Sequence, residues 1–447
     1  MLYDPTRFIK DPANGATVNP IPCGVGTYLN GSSKNGHWGY WYDGIAPAMV
    51  ITNGTNITVE MPTFGSSVAW EHMGEGDPGM EDLYGWTEDG PNVAFKGPNG
   101  TTNSHFMNGP IYVCGAEPGD VLQVDIVDLR TRPNPGKNNE SWGFTANYGI
   151  GWTGYATPGF NASNMNQAVV FKAVKDNTTG RALWWEPEYT YNTADPRITA
   201  VTSCVPETAE MLYTTDAGAA YYNNTNWPMF GGVEVPCIDG NMTFIVPDEL
   251  RSYAIKGKYR LPINMHIGNM GLAPALGAAT STAPPYRTGG NLDNRRIGIG
   301  ATMYYPVEVA GGLLSMGDCH GHQGDGETAA TGIETSLDGD FTVTLHKAGS
   351  LPKKLELLDY PLLENANEYI IHGFAYRDWA REIENPQINV GAYGPVGGVD
   401  LNRAMSVVYN ETRDFLINMW FFDPVMWETQ PYYQALVMDG TSRTSYP

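Results

Sequence analysis

Residues 317–334 place Asp318, His320, His322, Asp325, Glu327 and Glu334 within eighteen positions. These are side chains of the types that hold metal ions or move protons. If residues 313–322 are extended, Asp318, His320 and His322 recur at i, i+2 and i+4 and share one face. Two imidazoles and a carboxylate could then meet one cation at about 2.0–2.2 Å from each ligand atom. Gly321, Gly324 and Gly326 let the chain fold back and bring Asp325 and Glu327 towards that face. A carboxylate there could act as base or proton shuttle for a metal-bound water, whose pKa falls towards about 7 on zinc. The plainer reading, turn acids and hydrogen-bonded histidines, stays open on this segment alone.

Two further segments offer the same chemistry. In residues 105–120, His105 and Asp120 flank the turn Glu117-Pro118-Gly119-Asp120; that turn explains Glu117, while His105 and Asp120 are candidate ligands. In Gly289-Gly290-Asn291-Leu292-Asp293, Asn291 and Asp293 lie two apart and offer oxygen donors to a cation or an amide. Other mechanisms find little support. There is no Gly-X-Ser-X-Gly elbow. Cys319 and His320 are adjacent, so on a strand they point to opposite faces and make a poor nucleophile–base pair. The loop around Asp325 lacks the ligand spacing and flanking helices of an EF-hand.

The elements that must position these groups read as mostly β, a β-rich α+β fold. Two packed β-sheet regions carry long loops and a few helices. Residues 37–128 read as strand after strand, with Leu122, Val124 and Ile126 on one face of a strand that follows the turn at 117–120. Residues 131–191, rich in Pro, Asn, Gly and Trp, are expected to form long loops. A second β-rich region runs from about 197 to 350, including 298–309 and 341–345. Apolar residues recurring at three- and four-residue steps predict a helix over 400–420, with Asp400 as N-cap; a shorter helix is expected over 376–383. The natural division is an N-terminal β-rich part, 1–195, and a C-terminal part, 196–447, packed as one body.

Bulk composition narrows the partners. With 26 Lys+Arg against 48 Asp+Glu, the formal net charge of −22 opposes binding to nucleic acid or anionic lipid. No apolar stretch reaches the roughly 18–20 residues of a membrane span, and no signal peptide is visible at residues 1–5. The five cysteines, Cys23, Cys114, Cys204, Cys237 and Cys319, show no CxxC spacing; Cys204 and Cys237, both near prolines, could pair. Ten Asn-X-Ser/Thr sequons begin at Asn30, Asn53, Asn56, Asn99, Asn139, Asn161, Asn177, Asn223, Asn241 and Asn410, where chance supplies about four or five.

Taken in order, several of these segments resemble the acetamidase/formamidase family. The resemblance rests on Gly109-Pro110-Ile111 with residues 115–122, on 268–274 followed by 289–293, and most heavily on 300–306 running into Gly317-Asp318-Cys319-His320 and Gln323-Gly324-Asp325-Gly326-Glu327. Weaker matches run from His37-Trp38 through Gly76-Asp77-Pro78-Gly79 to Ile371-His372-Gly373-Phe374. The resemblance implies a mostly-β enzyme that hydrolyses formamide, acetamide or a similar short amide to ammonia and the carboxylate. It also implies a divalent metal, zinc ahead of calcium, and a homo-oligomer. Its polar positions fall on His105, Asp120, Asn291, Asp293, Asp318, His320, Glu327 and Glu334. His322 stands where the family has a small residue, and the stretches after Gly391 and at 437–447 match poorly. On this reading Glu327, Asn291 and Asp325 serve catalysis, with Glu327 as proton shuttle and Asn291 orienting the substrate. The metal would fall to Asp318, His320, His105, Asp120, Asp293, Glu334 and His322. The family default is cytoplasmic, whereas the sequons suggest a secreted glycoprotein. The rival function is accordingly a non-catalytic secreted glycoprotein, structural or assembly-forming, on the same fold.

Overall fold

The computed structural model describes residues 23–24, 26–63, 65–83, 86–87, 90–91, 105–148, 166–192, 195, 246–277, 279–327, 331–374 and 401–420. Period-two alternation is the signal that becomes the first sheet. In the strand Val121–Thr131, Leu122, Val124 and Ile126 are buried, as their spacing requires. They lie opposite Leu345, Val343 and Phe341 of the strand Leu337–His346. On the other side, Leu122 and Val124 lie opposite Tyr305 and Met303 of Thr302–Pro306. Seven strands form this sheet, in the order Tyr28–Leu29, Thr55–Met61, Leu337–His346, Val121–Thr131, Thr302–Pro306, Leu362–Glu364 and Tyr369–Ile371.

The second sheet runs through Leu261–Pro262, Ala182–Asn192, Asn166–Lys175, Trp142–Tyr148, Glu334–Thr335, Leu314–His320, His266–Leu272 and Gly289–Asn291. Phe106–Val113 pairs with Leu314–His320 and carries Gly36–Trp38 and Met49–Ile51. Both sheets draw strands from before and after residue 195. Between them lies one core, with Ile57, Val59, Leu122, Val124, Phe341 and Val343 from the first sheet. The second contributes Ile111, Ile267, Leu272, Leu314 and Met316. Burying a side chain of this size contributes about 1.5–3 kcal/mol, so each contributing strand turns an apolar face inward. Every residue of His266–Leu272 and Leu314–His320 is buried. These two central strands are therefore covered on both faces, and what the second face carries is the site.

The mostly-β expectation holds, but the described residues of 131–191 are largely strand rather than loop. Trp142–Tyr148, Asn166–Lys175 and Ala182–Asn192 form an antiparallel meander. Trp185, Pro187, Tyr189 and Tyr191 alternate inward along its third strand. Pro187 sits just past a register shift between Val170 and Phe171, where a missing N–H is tolerated. Nor is 37–128 all strand. Trp70–Met73 and Pro78–Leu83 are short helices. Asp77 accepts from the Gly79 N–H at 2.9 Å ahead of the second, and Pro78 opens it. Asp77 also takes the guanidinium of Arg132 at 2.8 Å, which ties this helix to the first sheet.

The C-terminal helix is Leu401–Trp420. Phe415 packs with Val121, Tyr304, Leu355 and Leu362, and its ring meets Tyr369 at 5.1 Å. Asp400 and the helix expected at 376–383 lie outside the described residues, as do Cys204 and Cys237. Cys23 and Cys114 form a disulfide. No helix among the described residues is long and apolar enough to cross a membrane.

Candidate functional site

The strand Leu314–His320 sends Leu314, Met316 and Cys319 into the apolar core. Strict alternation cannot place both Met316 and Cys319 on that side, and the change of face comes at Asp318, whose φ is +52°. A left-handed non-glycine residue is costly and is kept where surroundings over-determine it. Here it leaves Asp318 and His320 together on the face away from the core. The oxygen Oδ1 of Asp318 is 3.7 Å from Nε2 of His320, and Oδ2 is 3.5 Å from Nε2 of His105. Glu334 lies directly opposite His320 on the neighbouring strand, with Oε1 at 3.2 Å from the same nitrogen, and Glu327 Oε1 lies at 3.5 Å. Asp293, another left-handed residue (φ +42°), completes the group from the loop after Gly289–Asn291. Gly268 makes the approach feasible: a Cβ there would stand 2.6 Å from the Asp318 carbonyl, 2.7 Å from the His320 ring and 2.9 Å from Asp293 Oδ1.

The electrostatics follow from three buried acids, Asp293, Asp318 and Glu334, and the part-buried Glu327 around one imidazole. Burial, then Asp318 and Glu334, push the Asp293 carboxyl well above the usual range. Burial does the same to Glu327, helped by Asp293 and Glu334, and also raises Glu334. Burial pushes Asp318 up too, but His105 and His320 outweigh it and hold it low. For His320, burial pulls the imidazole down, yet Glu334, Glu327 and Asp318 hold it well above its ordinary value. Atoms Asp293 Oδ1, Glu327 Oε1 and Glu334 Oε2 are buried with no hydrogen-bond partner among the described residues. Two sets of donor atoms, Asp293–Asp318–His320 and His320–Glu327–Glu334, each lie within 4.8 Å of one another.

Sequence reasoning missed His266. It is fully buried, and burial pulls its pKa down to about 3, so it is neutral. Its Nδ1–H donates to the Asn264 carbonyl at 2.7 Å. Its Nε2 lies 3.0 Å from the Gln323 side-chain oxygen and 3.3 Å from Nδ1 of His320. The contact helps orient the His320 ring with Nε2 towards the carboxylates, as outer-shell partners orient ligating histidines. Only the strand register, His266 opposite His320, brings the two together. Nothing in the local sequence signals it.

Three of the expected site residues lie elsewhere. Asp120 is buried against Lys347 at 2.5 Å and accepts from the Ala348 N–H at 2.9 Å, so it closes a turn. Asp325 faces outward and pairs with Arg295 and Arg296, both at 2.8 Å. His322 follows the end of the strand and is half-buried. It makes no ion pair with a carboxylate among the described residues, and burial lowers its pKa. Asn291 is part-buried beside the group, with Nδ2 donating to the Ala283 carbonyl at 2.9 Å. Cys319 is fully buried with its thiol pushed well up by burial, 3.7 Å from the Met61 sulfur. It is a core residue, not a nucleophile.

The model of the Acetamidase/Formamidase family matches residues 100–175 and 258–373, the segments that build this site. A formamidase of Methylophilus methylotrophus is 28% identical over 257 residues, 56% of this chain and 53% of that protein. An acetamidase of Mycolicibacterium smegmatis is 27% identical over 314 residues, 61% of this chain and 66% of that protein. The chain thus spans between half and two thirds of the length of these curated relatives. An acetamidase structure from Yersinia enterocolitica covers 97% of this chain and 88% of its own, with a TM-score of 0.51 at 18% identity, a likeness of fold. Over these segments the chain is similar to the acetamidase/formamidase family.

Proposed function

We propose that this chain hydrolyses short aliphatic amides, of the formamide and acetamide kind, to ammonia and the carboxylate, using a divalent metal held by the buried acid–imidazole group. One observation carries the metal part: three carboxylates each keep a buried oxygen without a hydrogen-bond partner among the described residues. Unpaired buried charge costs several kcal/mol per ion, and one imidazolium cannot offset four acids, so the residues present suit a cation. Asp293, Asp318 and His320, or His320, Glu327 and Glu334, would hold it. A nitrogen donor in each set favours zinc over calcium, which takes six to eight oxygens. Matches to proteins called formamidase and acetamidase support an amide substrate.

When bound, such a cation polarises a carbonyl or lowers the pKa of water. The chain's own residues supply the rest. Glu327, with its carboxyl raised by burial and neighbouring acids, is suited both to take a proton from water and to give one up. Water forms the new C–O bond, the C–N bond breaks, and Glu327 delivers the proton to the leaving nitrogen. His105, with Nε2 at 3.5 Å from Asp318 Oδ2, steadies that carboxylate. The residues around the group keep bulk water away and strengthen each of these interactions.

Metal content and thermal unfolding test this reading. The purified protein is expected to hold zinc, to lose it to a strong chelator, and to unfold at lower temperature without it. Zinc at a hundred times its dissociation constant should restore about 2.7 kcal/mol, with calcium less effective. A protein that is metal-free as isolated, hydrolyses acetamide fully and unfolds at the same temperature with zinc would defeat the metal part.

A further inference from the structure

Two asparagines beside the acid group have a property that metal binding does not explain. Asn269 and Asn291 lie directly opposite each other in adjacent antiparallel strands, so their side chains leave the same face. Asn269 is fully buried. Its Nδ2 donates to the Thr282 carbonyl at 3.1 Å and lies 3.1 Å from His105 Nδ1. Asn291 Nδ2 donates to the next carbonyl in the chain, Ala283. Consecutive carbonyls thus hold both amides the same way round, since a flipped amide would set oxygen against oxygen. Both Oδ1 atoms are buried, and neither has a hydrogen-bond partner among the described residues. The pair is tied to the acid group at both ends, through His105 to Asp318 and through the loop from Asn291 to Asp293.

We propose that Asn269 Oδ1 and Asn291 Oδ1 together recognise the –NH2 of a primary carboxamide. A primary amide presents two N–H donors, its N-methyl derivative one, and its N,N-dimethyl derivative none. Two fixed acceptors from cross-strand partners on one face fit the first and leave an orphan for each hydrogen replaced, which is how polar sites reject analogues. The proposal rests on the amidase reading and assigns the residues that select unsubstituted amides over N-substituted ones.

The test compares acetamide, N-methylacetamide and N,N-dimethylacetamide with the wild type and with Asn291→Leu and Asn269→Leu, which keep volume and lose the acceptor. Expected is a wild-type kcat/KM that falls about tenfold or more per methyl group. Either variant should lose about tenfold on acetamide, mainly in KM, while its amide discrimination narrows. Acetamide binding by NMR to Glu327→Gln should weaken by the same factor when Asn291→Leu is added. Wild-type activity on acetamide with discrimination unchanged in both variants would overturn the pair alone. If no short amide releases ammonia, the amidase reading falls, and if acetamide also fails to bind Glu327→Gln, the pair falls with it.

A second inference rests on other residues. Six sequons fall on described residues, and the asparagines that open them, Asn30, Asn53, Asn56, Asn139, Asn177 and Asn410, are all exposed. Independently, Cys23 and Cys114 are joined. Stable disulfides belong to oxidising compartments, and glycans on Asn-X-Ser/Thr mark surface loops of secreted proteins. We infer that the chain matures in such a compartment and carries an N-glycan on Asn177, in the turn between Asn166–Lys175 and Ala182–Asn192. Asn53, by contrast, is engaged by the Leu345 N–H, and Asn410 lies within the long helix. Protein isolated from its own cells, alkylated before reduction and mapped with an N-glycosidase in heavy-oxygen water, gives the answer. Expected are a labelled Asn177 peptide and a linked Cys23–Cys114 peptide. An unmodified Asn177, or both cysteines alkylated before reduction, would overturn it.

Discussion

Glu327→Gln is expected to fold and to lose between about a hundredfold and ten-thousandfold in turnover, the range a positioned acid–base group supplies. Glu327 Oε1 is buried with no hydrogen-bond partner among the described residues and sits 3.5 Å from His320 Nε2. Its carboxyl is raised by burial and by Asp293 and Glu334. That environment favours its protonated form and suits it to deliver a proton. Glutamine keeps the shape and removes the exchange. It also takes one negative charge out of a crowded buried group, so the metal-free variant should unfold at the same temperature as the wild type or higher. Steady-state kinetics beside thermal unfolding separate the two effects. Turnover within threefold of wild type would remove Glu327 from the mechanism.

His320→Leu and Glu334→Gln should shift the stability of the metal-free protein in opposite directions. His320 is the one imidazole set among Asp318, Glu327 and Glu334, and those acids hold it charged. Replacing it leaves them without their counter-charge, and removing one partner of a buried pair costs about 3–5 kcal/mol. Glu334→Gln instead relieves repulsion between like charges, since burial and Asp318 already push that carboxyl up. It should hold or raise stability without metal, yet lose the gain that zinc confers. Denaturant unfolding with and without zinc measures all four states. Equal destabilisation by both variants would show that the group's charge balance is not what the geometry implies.

What could be read from the sequence was what periodicity and local clustering encode. The strand through Leu122, Val124 and Ile126 was legible because one face is buried and the other is not. The helix at 401–420 was legible from its three- and four-residue spacing. The clustering of Asp318, His320, Glu327 and Glu334 also survived folding, although by a route that alternation did not foresee. The strand is kinked at Asp318, and Glu334 arrives from the neighbouring strand. His322 was misplaced because the strand ends at His320. Asp120 was misplaced because its partner, Lys347, is 227 residues away. His266 and Asn269 carried no local signal at all, since only the pairing of His266–Leu272 with its neighbours gives them meaning. The meander at 142–192 was hidden by prolines and asparagines, though Trp185, Tyr189 and Tyr191 already alternated.

Ammonia release from acetamide and formamide, followed before chelation, after chelation and after returning zinc, tests the central claim most directly. The account predicts release by the protein as isolated, loss on chelation and recovery with zinc. No ammonia from either amide in the zinc-loaded protein would contradict it.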